Sequence, residues 1–84
     1  MILKIFSVFD SAVGAYASPM FLHSRAQAVR AFTDAIADPS TNICKHPQDF
    51  TLFYLGEYDD QIGRFDSLPS PESCGVASEY LAKS

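Results

Sequence analysis

Cys44, Lys45 and His46 stand side by side, the first place in the sequence where residue types could do chemistry. A thiol activated by an imidazole is a nucleophile, but the ring must reach the sulfur, and adjacent residues seldom orient that way. No oxyanion hole or third member lies nearby in sequence, so a half-buried loop cysteine beside a turn histidine fixed by Pro47 is the plainer reading. Metal chemistry fares no better. His23 and His46 are the only histidines, Cys44 and Cys74 the only thiols, and their spacing matches no tetrahedral site. Asp59, Asp60 and Asp66 surround a turn without the alternating ligands of a calcium loop. Gly14, Gly56, Gly63 and Gly75 never cluster, so there is no phosphate loop or dinucleotide fingerprint. The expectation is a protein that is not an enzyme and takes no metal or cofactor.

Binding is the remaining class. The net charge of −4 weighs against a dedicated duplex-DNA binder, because Lys and Arg neutralising phosphates supply most non-specific affinity. Single-strand binding asks for less: a local cationic patch beside stacking rings, for which an antiparallel sheet bearing aromatics is a suitable platform. The candidates are Arg25, Lys45, His46 and Arg64 for phosphates and Tyr54 as a stacking face, with His23, Tyr16 and Tyr58 as further rings. The competing reading puts the tyrosines in core and interface and leaves Arg25 and Arg30 on a solvated helix face.

The elements that would position these residues follow from the pattern. Ile2 to Phe9 is rich in β-branched and aromatic residues and reads as a strand. Leu3, Ile5, Ser7 and Phe9 share one face. Ile2, Lys4, Phe6 and Val8 share the other, which Lys4 marks as the more exposed one and as suited to an interface. Asp10 to Gly14 is a turn. A second strand runs from Ala15 to Leu22, at an edge or bulged near Pro19, which has no N–H to give a ladder. Ser24 and Gln27 form a capping box that opens a helix, and Val29, Phe32 and Ile36 make its apolar stripe. Asp38-Pro39 ends it. Pro39 to Asp49 is a loop by composition. Phe50 to Tyr58 is a third strand, with Phe50, Leu52, Tyr54 and Tyr58 on one face and Thr51, Phe53, Leu55 and Glu57 on the other. After a turn at Asp59 to Gly63, Arg64 to Asp66 starts a short fourth strand. The Ser/Pro cluster from Ser67 is linker-like, and Glu72 to Lys83 has a weak helical pattern interrupted by Gly75.

The sum is an α+β fold: a small antiparallel ββαββ sheet with one helix packed across one face, and an irregular C-terminal tail. Residues 1–68 form the domain and 69–84 the tail, with at most a short or frayed helix. With 84 residues, two cysteines and no disulfide framework, burial capacity is limited. Self-association would bury some of the aromatic surface, so a homo-oligomer is expected. MILKIFSVFD is too short for a membrane span and lacks a cleavage site, which points to an unprocessed intracellular protein with reduced cysteines and no membrane partner.

The sequence also resembles a known family. KIFSVFD, SPMFLHSRAQAVRAFTDAIADP, NICKHPQDFTLFYLGEYDD and QIGRFD occur in this order between Ile2 and about Leu68. They are similar to segments of the small non-structural protein of gokushoviruses, single-stranded DNA phages of the Microviridae. The most telling pieces are Pro19-Met20-Phe21, Arg30-Ala31-Phe32, Lys45 to Phe50, and Gly56 to Asp60 followed by Gly63. The tail after Pro69 adds nothing to the likeness. The resemblance implies a non-enzymatic accessory protein in the cytoplasm of the host bacterium, acting in single-stranded genome synthesis or packaging. It assigns no functional residues. Two readings follow: a binder of single-stranded DNA or of phage replication or capsid proteins, and a pure protein-interaction module. The first needs a basic patch beside exposed Tyr. The second needs apolar groups such as Phe6, Val8 and Phe53 on an outer sheet face.

Overall fold

The computed structural model describes residues 1–81. Five strands form one antiparallel sheet: β1 (Ile2–Asp10), β2 (Ala15–Tyr16), β3 (Met20–Leu22), β4 (Phe50–Asp59) and β5 (Arg64–Val76). β1 and β4 are central, β5 is one edge, and β2 and β3 lie end to end along the other. The expected second strand is thus split before Pro19, where the ladder lacks a donor.

The helix α1 (Arg25–Ala37) starts as its capping residues dictate: the Ser24 hydroxyl accepts from the Gln27 N–H at 3.3 Å, and the Gln27 side chain accepts from the His23 N–H at 2.8 Å. Ala28, Phe32 and Ile36 are buried against Phe6, Leu52, Cys74 and Ala77, with Val8, Met20, Val29, Phe50 and Tyr54 packed around them. The small Ala28 lets the helix sit close to the sheet.

Several expectations need correction. The Phe6 and Val8 face is the one the helix covers, and Phe6 is 1% exposed. A lone Lys4 near the end of a strand does not outweigh two apolar residues further along it. The fold also holds more than one helix. Pro39 to Asp49 contains α2 (Asn42–Lys45) and a 3-10 turn at Pro47–Asp49. Thr41 makes this possible, because its hydroxyl caps the Cys44 N–H at 3.1 Å and itself donates to the Ala35 carbonyl at 2.6 Å. The Ser/Pro cluster after Ser67 belongs to β5 instead of forming a linker, and a third helix, α3 (Ala77–Leu81), follows it. The expected helical pattern runs on to Lys83, which lies outside the described residues.

The prolines fit β5 because it is an edge strand with an excursion. Ser67 faces Gly56 and Glu72 faces Tyr54, so residues 68–71 stand opposite Leu55 alone. Leu55 is also skipped in the β1–β4 ladder, where Ile5 faces Gly56 and Phe6 faces Tyr54. Gly56 takes φ 148°, and a Cβ there would run into the Asp66 carbonyl oxygen and Ser67 Cα. Only glycine allows this close crossing. The bulge also reverses the expected alternation on β4. Beyond it, Tyr58 joins the face of Phe53, and Glu57 joins the face of Tyr54.

Candidate functional site

The basic residues expected at the site fall at three separate places. Arg25 is the first residue of α1, and its guanidinium lies 3.8 Å from the Glu72 carboxylate. Lys45 ends α2, and His46 follows as its C-cap, donating its backbone N–H to the Asn42 carbonyl at 2.8 Å. Both are exposed and follow Thr41, whose hydroxyl bonds the Ala35 carbonyl at the C-terminal end of α1, the end opposite Arg25. Arg64 follows the β4–β5 turn, and its Nε donates to the Asp66 carboxylate at 3.2 Å. Exposed pairs of this kind add little stability, but each places a negative charge beside the cation. The five expected site residues therefore do not form one patch. Only Arg25 and Tyr54 meet.

They meet in an open cleft of about 120 Å³ lined by Lys4, Phe6, Arg25, Tyr54 and Glu72. The Lys4 ammonium stands 5.7 Å from the centre of the Tyr54 ring. The same ring lies 5.2 Å from Phe6, which anchors it to the core. Burial first, then Glu57 and Glu72, push the Tyr54 hydroxyl above its ordinary value, so it stays a neutral donor. Chemically the cleft offers two cations and one ring, partly offset by one carboxylate. Lys4 and Glu72 were not among the expected site residues. They are far apart in sequence, and only the β1–β4–β5 order joins them.

The opposite face of the sheet carries a different arrangement. Its register positions on β1 are Leu3, Ile5, Ser7 and Phe9. Phe9, Tyr16 and Phe53 form one ring cluster, with centroids 4.8 to 6.3 Å apart. Phe21, Tyr58 and Phe65 form a second, 4.7 to 6.2 Å apart. Tyr16, Phe21 and Phe65 remain 44%, 40% and 60% exposed. Between the clusters Ile5 and Ser7 are buried, and the Ser7 hydroxyl is satisfied by the Ala17 carbonyl at 2.7 Å. Among the described residues, no ladder position on this face holds a charged residue. The charged strand residues Lys4, Asp10, Glu57, Asp59, Arg64, Asp66 and Glu72 all fall on the helix side by register. The sequence did carry a signal for this face, since Leu3, Ile5, Ser7 and Phe9 are same-parity positions without a charge.

Cys44 and His46 do not form a nucleophile pair in any bond described, and Cys74 is buried with its thiol pushed up, chiefly by that burial. No group of three His, Cys, Asp or Glu that could hold a metal occurs among the described residues. Nor, among these residues, is any helix long and apolar enough to cross a membrane.

A family model described as phage ORF5 protein matches residues 3–80, nearly the whole chain. The chain belongs to this phage ORF5 family. The match runs through both faces of the sheet, all three helices and the β5 excursion. It therefore includes the segment after Pro69, to which the resemblance above did not extend. No curated protein and no solved structure matches the chain. The ORF5 family makes this a bacteriophage protein, and the described residues of the chain fold into a small antiparallel sheet with three helices, an α+β arrangement.

Proposed function

We propose that this ORF5 protein is a non-enzymatic accessory protein of a gokushovirus. It acts in the host cytoplasm in single-stranded genome synthesis or packaging, as a protein-interaction module. The observation that carries the interaction reading is the charge-free aromatic sheet face, with Tyr16, Phe21 and Phe65 open to solvent. An apolar patch of this kind on a small protein marks a contact surface. Phe53 lies on it as the reading requires, and Phe6 and Val8 do not. Phage replication and capsid proteins are the partners in view. The test is infection with a phage carrying Phe65→Asp in this chain. Single-stranded progeny genomes fall while double-stranded intermediates persist; an unchanged yield overturns the reading.

A second reading is favoured by the Lys4–Arg25–Tyr54 cleft: contact with single-stranded DNA, one base against the Tyr54 ring and a phosphate near Lys4. Fluorescence titration with a single-stranded oligonucleotide at low and high salt tests it. Binding at low salt that weakens with added salt and with Lys4→Gln supports it. Absence of binding at low salt removes DNA from the account.

A further inference from the structure

We infer that the occupant of the charge-free sheet face is a second copy of this chain, giving a face-to-face dimer. The inference rests on reading that face as an interaction surface and names what covers it. Charge is the first argument. The chain carries a net −4, so two copies repel wherever acidic surfaces meet. On this face they do not meet, because the strand charges lie on the helix side by register. A partner selected by opposite charge would find nothing on the face to pair with. An identical uncharged face matches it without repulsion or an unpaired ion.

Area is the second argument. At roughly 200 Å² per aromatic side chain, the exposed fractions of Tyr16, Phe21 and Phe65 leave about 290 Å² of ring surface open. Half-buried Phe9, Phe53 and Tyr58 continue the patch. Two such faces together take about 580 Å² of ring surface out of water from these three side chains alone, and the half-buried rings add to it, which is the scale of a weak, reversible interface. A second copy supplies an equal apolar area on the opposing side.

The pairing is isologous, so each ring cluster meets a ring cluster of the partner. Sheet-on-sheet packing of this kind keeps the faces about 10 Å apart, with side chains interdigitating. The buried Ser7 between the clusters already has its acceptor, so closing the interface strands no polar group there.

Sedimentation equilibrium of the full chain across the micromolar range is the experiment, at low and high salt. The expected result is a concentration-dependent dimer that added salt does not weaken. Phe65→Asp places a carboxylate in the apolar contact and raises the dissociation constant on the order of a hundredfold. Because Phe65 is 60% exposed, the circular dichroism of that variant stays native. Val13→Asp, at a 74% exposed position in the β1–β2 turn, leaves the dimer intact. A native chain that stays monomeric throughout overturns the inference, as does a dimer that survives Phe65→Asp or dissolves in salt. If the native chain is monomeric yet Phe65→Asp still lowers progeny genomes, the interaction reading stands and only this occupant fails.

Discussion

The half of the sheet under α1 and the half that projects beyond it share β1, β4 and β5, yet they are held by different means. Under the helix, Phe6, Leu52 and Phe32 are almost wholly buried, and α3 closes the end through the Phe32–Tyr80 contact. Beyond Leu55, no described residue of β4 belongs to the buried hydrophobic core or packs against it. The ladder there is held by its own hydrogen bonds and by Phe21, Tyr58 and Phe65 stacked on the outer face. The difference teaches that one strand can serve a core and a contact surface in turn. A single bulge exchanges which side chains face which way, and stability and recognition are divided along the chain.

The largest effect belongs to the covered half. Phe32→Ala should cost about 3–5 kcal/mol in urea denaturation, because it opens a cavity among Phe6, Leu52 and Tyr80. Phe65→Ala in the projecting half should cost less than about 1 kcal/mol when measured at dilutions where the chain is monomeric. Equal losses would break the comparison. Next comes the junction itself. Gly56→Ala forces a Cβ against Asp66 and Ser67 at φ 148°, so a loss of about 2–3 kcal/mol is expected, with changes in hydrogen exchange beginning at the bulge. Smaller again is Tyr80→Phe, which removes a bond of 2.6 Å from the ring hydroxyl to the Cys74 carbonyl and should cost about 1 kcal/mol by thermal melting.

The smallest effect is a pH dependence. Backbone and side-chain bonds from Ser40 hold the Asp38 carboxyl below its ordinary value. Its folded pKa is lowered, so its contribution is present above the unfolded pKa and fades as pH falls through the folded one. Melting temperatures of Asp38→Asn and the native chain should converge in acid and differ slightly at neutral pH. Since Asp38 is fully exposed, the gap is small, and a large one would assign the end of α1 a structural weight that its exposure does not suggest.

Much of the covered half was legible. Ser24, Gln27, Phe32 and Ile36 announce α1 by spacing alone, and Asp10 with Gly14 announces the first turn, where the Ala12 N–H bonds the Asp10 carboxylate at 3.0 Å. The projecting half was not, because its faces depend on an extra residue that strict alternation hides. Gly56 inside an otherwise apolar strand was the available clue, since an isolated strand glycine favours a bulge. Reading Tyr58 with Tyr54 concealed the outer cluster. The start of β5 at Arg64 to Asp66 was legible, but its continuation to Val76 was not, because its prolines argue against a strand unless the chain can loop out, as it does at residues 68–71. The cleft depends on residues from β1, α1, β4 and β5, so no local pattern contains it.

The excursion at residues 68–71 also bears on the order in which the chain closes. It divides the β4–β5 ladder into two zippers. The first runs from the Gly63 turn through Ser67 and Gly56 and depends on local contacts, so it can form on the microsecond scale of an isolated hairpin. The second, Glu72 to Val76, waits for β1 and α1 to supply the core on which it rests. The two zippers should then open separately in native-state exchange, the tip at low free energy and the covered pairs only with global unfolding.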